Sequence, residues 1–204
     1  MAIDRRVLFF GDSFVAGVGD PTGRGWVGHV VEASFAAGLP LTAYNLGVRR
    51  ETVVEVAARW EDEARPRLRA DAAYGVVVGV GVNDTTVQDG GLRVDPGLAV
   101  DALGRVLDGV AALGLPVFVV GPGPSGDKAQ DERIRTLSAA FAGVAAGRGV
   151  PFVAVLDALC ADASWTAEAA AGDGTHPGAG GYAALARLVL DSGWTAWLEG
   201  LFAD

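Results

Sequence analysis

Val7-Leu8-Phe9-Phe10 runs without a polar break into Gly11-Asp12-Ser13, and this stretch sets the reading of the whole chain. Four consecutive apolar residues suit a strand covered on both faces, where no in–out alternation is required. Similar runs recur at residues 41–46, 73–80, 116–120 and 151–155, which gives five strands with 7–10. Between them, residues 26–37, 52–65, 96–113, 129–148 and 179–190 read as helices. Asp95-Pro96 supplies an N-cap followed by proline at the first helical position, and Gly114 and Gly149 stand where two helices must stop. Strand–helix alternation of this kind predicts an α/β fold: three layers, α/β/α and flavodoxin-like, around a five-stranded parallel sheet with right-handed crossovers. No linker, repeat or low-complexity segment interrupts it, so residues 1–204 are expected to form one domain.

Composition narrows the partners. The formal charge is −9, and the basic residues are fifteen arginines and one lysine, scattered along the chain. That argues against nucleic acid, whose phosphates call for massed cations. The run 7–10 is too short for a secretory segment, and the longest later one, 74–82, is broken by glycines and too short for a bilayer. No stable membrane insertion is expected. A single cysteine, Cys160, has no internal disulfide partner, which favours a cytoplasmic setting.

In parallel α/β sheets ligands bind beyond the carboxyl ends of the strands, near the point where strand order reverses. The residues there are Gly11-Asp12-Ser13, Asn45-Leu46-Gly47, Gly81-Val82-Asn83-Asp84 and the loop 121–126. Asp173-Gly174-Thr175-His176 precedes the last predicted helix and can return to the same rim. Ser13, exposed at a strand-to-loop turn, is a candidate nucleophile; taken alone, Asp12 and Ser13 would simply cap a turn. His176 is the natural base because imidazole exchanges protons near neutral pH, and Asp173 can reach its Nδ1 and fix the tautomer. His29, the other histidine, sits with Glu32 on a solvated helix side, while Val27, Val30, Val31 and Phe35 point inward. The Gly47 amide, the Asn83 side chain and the Ser13 amide are candidate donors to the oxyanion of a tetrahedral intermediate.

Taken together and in order, these four segments resemble the blocks of the SGNH/GDSL hydrolase family and span Gly11 to His176. The resemblance implies metal-independent hydrolysis of esters or related acyl bonds. It makes Ser13, Asp173 and His176 the catalytic residues and Ser13, Gly47 and Asn83 the oxyanion hole. Phe14 stands where the family pattern has leucine, an apolar swap that leaves the chemistry alone.

The expected activity is therefore a serine esterase acting on small or lipid-like carboxylic esters through an acyl-enzyme. A carbohydrate O-deacetylase, a thioesterase or a transacylase would use the same site, and a non-enzymatic flavodoxin-like binding module is the contrasting class. No cofactor is expected. Gly121-Pro122-Gly123-Pro124-Ser125-Gly126 matches a dinucleotide pattern, but it follows the fourth strand and two prolines remove the N–H groups a phosphate needs. It reads instead as a rigid pocket-edge loop. No His/Cys spacing suits a metal.

Asp12, Trp26 and Arg49 are candidate substrate contacts, although for Trp26 a place in the core of the first predicted helix is the favoured reading. Small residues often follow Gly47 in the family, whereas Val48-Arg49-Arg50-Glu51 stands here. Ion pairing of Arg49 and Arg50 with Glu51 or Glu55 is the favoured reading, and binding of a substrate carboxylate or phosphate is the alternative. Residues 157–172, with Trp165, read as a long loop able to act as a lid. Trp194, Trp197, Leu198, Leu201 and Phe202 have helical spacing and are expected to pack back on the domain, with a dimer contact as the alternative. The oligomeric state is left open.

Overall fold

The sheet reverses its strand order next to the segment that opens the chain. A computed structural model describes residues 4–202, without the side chain of Phe202. Its elements are β1 (Arg5–Gly11), the one-turn helix α1 (Ser13–Ala16), α2 (Gly25–Ala36), β2 (Leu41–Gly47), α3 (Val53–Ala64) and β3 (Ala73–Gly79). Then come a small hairpin of β4 (Val87–Gln88) and β5 (Gly91–Leu92), α4 (Pro96–Ala112), β6 (Val117–Val120), α5 (Lys128–Ala146) and β7 (Phe152–Val153). The chain closes with α6 (Leu156–Ala161), α7 (Ala163–Ala171), α8 (Ala179–Val189) and α9 (Thr195–Glu199).

The main sheet is parallel in the order β2-β1-β3-β6-β7. From β1 the chain steps outward to β2, then returns to the other side of β1 for β3. The crevice at that reversal lies above the carboxyl ends of β1 and β3, where such sheets receive ligands. Register brings these ends level, with Gly11 paired to both Gly47 and Gly79.

Alternation along the strands divides the core. Val7, Phe9, Val77, Phe118 and Val120 face α2, α8 and the C-terminal helices in an aromatic layer with Trp26, Trp165, Tyr182 and Trp194. Leu8, Phe10, Val76, Val78 and Val119 face α3, α4 and α5 in a mostly aliphatic layer of valines, leucines and alanines. Phe9 meets Trp26 edge-on at 5.7 Å and Trp194 at 6.0 Å, arrangements that add to area burial. The tail packs back as its spacing predicts: Trp194 and Leu198 are buried, and Trp194 Nε1 donates to Ser34 Oγ at 2.9 Å.

Caps set several boundaries. Asp95 accepts from the Gly97 and Leu98 N–H groups ahead of Pro96, and Thr52 and Glu55 form a reciprocal capping box on α3. Two expectations are corrected. Residues 157–172 are not a lid loop: they form most of α6 and α7, with Asp162 capping α7 by accepting the Trp165 N–H. Phe35 is 57% exposed, because the inward stripe of α2 runs through Trp26, Val27, Val30 and Ser34. Among the described residues, no helix is long and apolar enough to cross a membrane.

Candidate active site

The site grows from the end of β1. Asp12 turns the chain by accepting the Phe14 N–H at 2.9 Å, so Ser13 becomes the first residue of α1 and its N–H has no partner within the helix. Ser13 Oγ lies 2.8 Å from His176 Nε2, and His176 Nδ1 lies 2.7 Å from Asp173 Oδ2. The other carboxylate oxygen of Asp173 accepts the N–H groups of Thr175 (3.0 Å) and His176 (2.9 Å). One aspartate thus shapes its loop with one oxygen and orients the imidazole with the other. The backbone and side-chain bonds from His176 hold the Asp173 carboxyl well below the usual carboxylate range.

The loop is pinned from the β6 side. Thr175 Oγ1 donates to the Ser125 carbonyl at 2.8 Å, and a Cβ on Gly126 would sit 2.0 Å from the Gly174 carbonyl oxygen. Ser125 is itself fixed by Asp131, which accepts both its N–H and its hydroxyl. Phe14 packs beside His176 at 5.2 Å between ring centroids.

Asn83 enters from the end of β3. Its Nδ2 donates to Asp12 Oδ2 at 3.3 Å and to the Glu51 carbonyl at 3.0 Å. Burial pushes the Asp12 carboxyl up to about 7 and the neighbouring Asp84 carboxyl up to about 6, with bonds from backbone N–H groups opposing both shifts. Asp84 also takes the Val53 N–H at the start of α3. Glu51 is buried and accepts from Nε and Nη2 of Arg59, and Nη2 also donates to the Leu46 carbonyl.

Ser13, Asn83, His176, Arg49 and Arg50 line one cleft of about 200 Å³, with Phe14, Val82, Thr86, Ser125, Gln130 and Thr175. Other candidates lie elsewhere. Gly47 is packed against the Ser13–Ala16 turn, where a Cβ would meet the Ala16 nitrogen at 2.4 Å, and its N–H is taken by Asn45 Oδ1 at 3.1 Å. Trp26 does not wall the cleft; at 1% exposure it belongs to the aromatic core. Asp12 is equally buried and lies beneath the site, bonded to Asn83, rather than open to a substrate. Trp165 is buried against Phe14 and Tyr182. His29 is half-buried in α2 and does not line the cleft.

The expected pairing of Arg49 and Arg50 with Glu51 or Glu55 does not occur. Glu51 belongs to Arg59, and Glu55 to the Thr52 cap and Arg93. Sequence reasoning also passed over Thr175, Ser125 and Arg59, whose partners are 50, 50 and 8 residues away and leave no local signature. Among the described residues no cluster of three or more His, Cys, Asp or Glu is placed to hold a metal.

No curated protein sequence matches the chain. Several solved structures share its fold. The acetylxylan esterase Axe2 of Geobacillus stearothermophilus is 20% identical, with a TM-score of 0.75 over 94% of this chain and 96% of that one. A lipase/acylhydrolase from Enterococcus faecalis is 21% identical, with a TM-score of 0.76 over 93% and 95%. LAE5, an alpha/beta hydrolase enzyme from the metagenome of Lake Arreo, is 22% identical, with a TM-score of 0.73 over 100% and 99%. The sequence itself decides the assignment: residues 9–184, from within β1 to within α8, match the GDSL-like lipase/acylhydrolase family, and the chain belongs to it.

Proposed function

We propose that this protein is a serine carboxylic-ester hydrolase that carries a short acyl group on Ser13. The observation supporting this most strongly is the unbroken chain from Ser13 Oγ through the imidazole to Asp173, at 2.8 and 2.7 Å. A hydroxyl becomes an effective nucleophile when a base within hydrogen-bond reach removes its proton, and the base works best when a third group fixes its tautomer.

In this mechanism His176 Nε2 takes the proton from Ser13 Oγ as the oxygen attacks the ester carbonyl. The oxyanion is received by the Ser13 N–H and by Asn83 Nδ2, which exchanges its longer bond to Asp12 for it. The third donor that the family resemblance implies, the Gly47 N–H, is bonded to Asn45 Oδ1 in a residue that does not line the cleft, so this step does not draw on it. The tetrahedral intermediate collapses, the alcohol leaves with the proton from His176, and water repeats the cycle on the acyl-enzyme. Asp173 stays ionised throughout and stabilises the imidazolium.

Cleft size supports small acyl groups, since about 200 Å³ is below the range of roughly 300–1,000 Å³ typical for drug-sized ligands. Only Phe14 and Val82 give it an apolar surface. The polar rim of Thr86, Ser125, Gln130 and Thr175 favours removal of an acetyl group from a hydroxyl-rich alcohol as a second reading. We take residues 1–204 as one domain in a cytoplasmic setting, a placement supported by the lone, exposed Cys160.

Incubation with a fluorophosphonate followed by peptide mass spectrometry tests the scheme. Ser13 should carry the label, and Ser13→Ala should lose both labelling and turnover of 4-nitrophenyl acetate. Wild-type turnover by Ser13→Ala would end the proposal.

A further inference from the structure

Arginine is used economically in this chain. Arg59, Arg93, Arg135 and Arg148 each hold a carboxylate. Among the described residues Arg49 and Arg50 hold none, although four acids, Asp12, Glu51, Glu55 and Asp84, lie in the elements around them. Two of those acids have other cations or caps, and the two aspartates are buried and bonded to Asn83 and to backbone N–H groups. Among the described residues Arg69, Arg105 and Arg133 also hold no carboxylate, Arg133 bonding the Thr85 and Ala129 carbonyls instead, but none of the three lines the cleft that holds Ser13 and His176.

The backbone keeps the two guanidiniums there. Arg50 has a left-handed φ of +65°, which costs a side-chain-bearing residue energy unless its surroundings enforce it. The enforcement is visible: Arg93 Nη1 donates to the Arg50 carbonyl at 2.9 Å, and the Glu51 N–H closes the turn on the Val48 carbonyl at 3.2 Å. That turn sends Glu51 inward to Arg59 and leaves Arg49 and Arg50 exposed on the cleft wall. On a chain of net charge −9, an anionic substrate would be repelled by the surface at large. Two guanidiniums without a carboxylate partner put positive charge on the cleft that holds the nucleophile.

We infer that Arg49 and Arg50 form an anion subsite and that the preferred substrates are short-acyl esters bearing a carboxylate or phosphate within side-chain reach of the scissile carbonyl. Guanidinium forks match both oxyanions. This rests on the proposed ester hydrolysis at Ser13 and adds the charge of the substrate to it.

The test compares kcat/KM for 4-acetoxybenzoate, its methyl ester and 4-acetoxyphenyl phosphate. Wild type should prefer at least one anionic ester over the methyl ester by about tenfold or more, mainly through KM, and the preference should shrink as salt is raised. Whichever anion is preferred identifies the group. Arg49→Gln/Arg50→Asn should bring the ratio close to one; asparagine is chosen because it tolerates left-handed backbone. Arg49→Lys should retain part of the preference. Because the readout is a ratio, a general loss of competence divides out. A wild-type ratio near one for both anions, or a ratio unchanged in the double variant, overturns the subsite while leaving ester hydrolysis standing. Turnover of the methyl ester unaffected by Ser13→Ala would instead overturn hydrolysis at Ser13. Calorimetry of 4-hydroxybenzoate and 4-hydroxyphenyl phosphate with the Ser13→Ala chain repeats the comparison without turnover. At least one should bind about tenfold more weakly once both arginines are replaced, and equal affinity would count against the subsite.

Discussion

Two aspartates hold the polar groups of the cleft, and they do so in opposite environments. Asp173, at the rim, keeps 52% of its side chain in solvent and is held well below the usual carboxylate range by bonds from His176 and Thr175. Asp12, under the floor, is 1% exposed and is pushed up to about 7 by burial. Each organises a partner: Asp173 the imidazole, Asp12 the Asn83 amide. An orienting charge beside a histidine that must become positive works best ionised, so it is kept near water. An acid that fixes a neutral amide needs only an acceptor oxygen and can stay buried. The contrast is one of task, read out as solvation.

The largest effect should come from breaking the rim. Both oxygens of Asp173 act as acceptors, one for two backbone N–H groups and the other for His176 Nδ1. In Asp173→Asn one of the two positions must present an NH2 group to another donor. Either the loop loses its turn or the imidazole loses its tautomer, and among the described residues no backbone carbonyl bonds Nδ1 in its place. We expect kcat for 4-nitrophenyl acetate to fall by about 10³–10⁴-fold, with a smaller change in KM. A loss under tenfold would show that the rim carboxylate is dispensable.

Asp12→Asn sharpens the other half of the contrast. The folded-state value of about 7 lies above the ordinary 3.8, so the folded chain keeps a proton that the unfolded chain releases as pH rises through 4. Asp12 therefore lowers stability progressively from about pH 4 to 7, whereas Asp173, whose carboxyl moves the opposite way, adds stability that builds up below about pH 4 and stays constant across that window. Urea midpoints against pH should show the Asp12→Asn variant gaining on wild type across this window. The gain should reach a few kcal/mol, at roughly 1.4 kcal/mol for each tenfold difference in proton affinity between the folded and unfolded chains. A flat difference curve would mean that Asp12 is ionised in the folded protein at no cost.

The rim and the floor differ in how well the sequence discloses them. Val7–Phe10, Ser13, Asn83, Asp173 and His176 were readable because strand ends and short turns are local, and the parallel sheet dictates where they converge. What failed was pairing in space. Glu51 follows Arg50 in sequence, yet the left-handed residue 50 turns it toward Arg59, eight positions on. Trp26, by contrast, sits on the inward helical stripe that its favoured reading as a core aromatic required. Two missed elements did carry signals. Asp162 is an N-cap three residues before Trp165, hidden in an alanine-rich stretch without apolar periodicity. Asp89-Gly90, both at positive φ, form the tight turn that joins β4 to β5. Those strands are two residues each, too short to show alternation.

The smallest effect we expect separates positioning from chemistry at the rim. Among the described residues Thr175 makes no hydrogen bond to Ser13 or to the imidazole; its hydroxyl donates to the Ser125 carbonyl and so anchors the loop that carries Asp173 and His176. Valine keeps the shape and removes the donor, leaving a part-buried carbonyl unpaired at a cost of about 1 kcal/mol. If the anchor only stabilised the fold, Thr175→Val would lower the urea midpoint and leave kcat alone. A positioning role predicts more: kcat lower by about fivefold with KM unchanged, and recovery in Thr175→Ser, which restores the donor. Loss of stability without that kcat change would mean that Asp173 alone sets the imidazole, and that the β6 loop merely covers it.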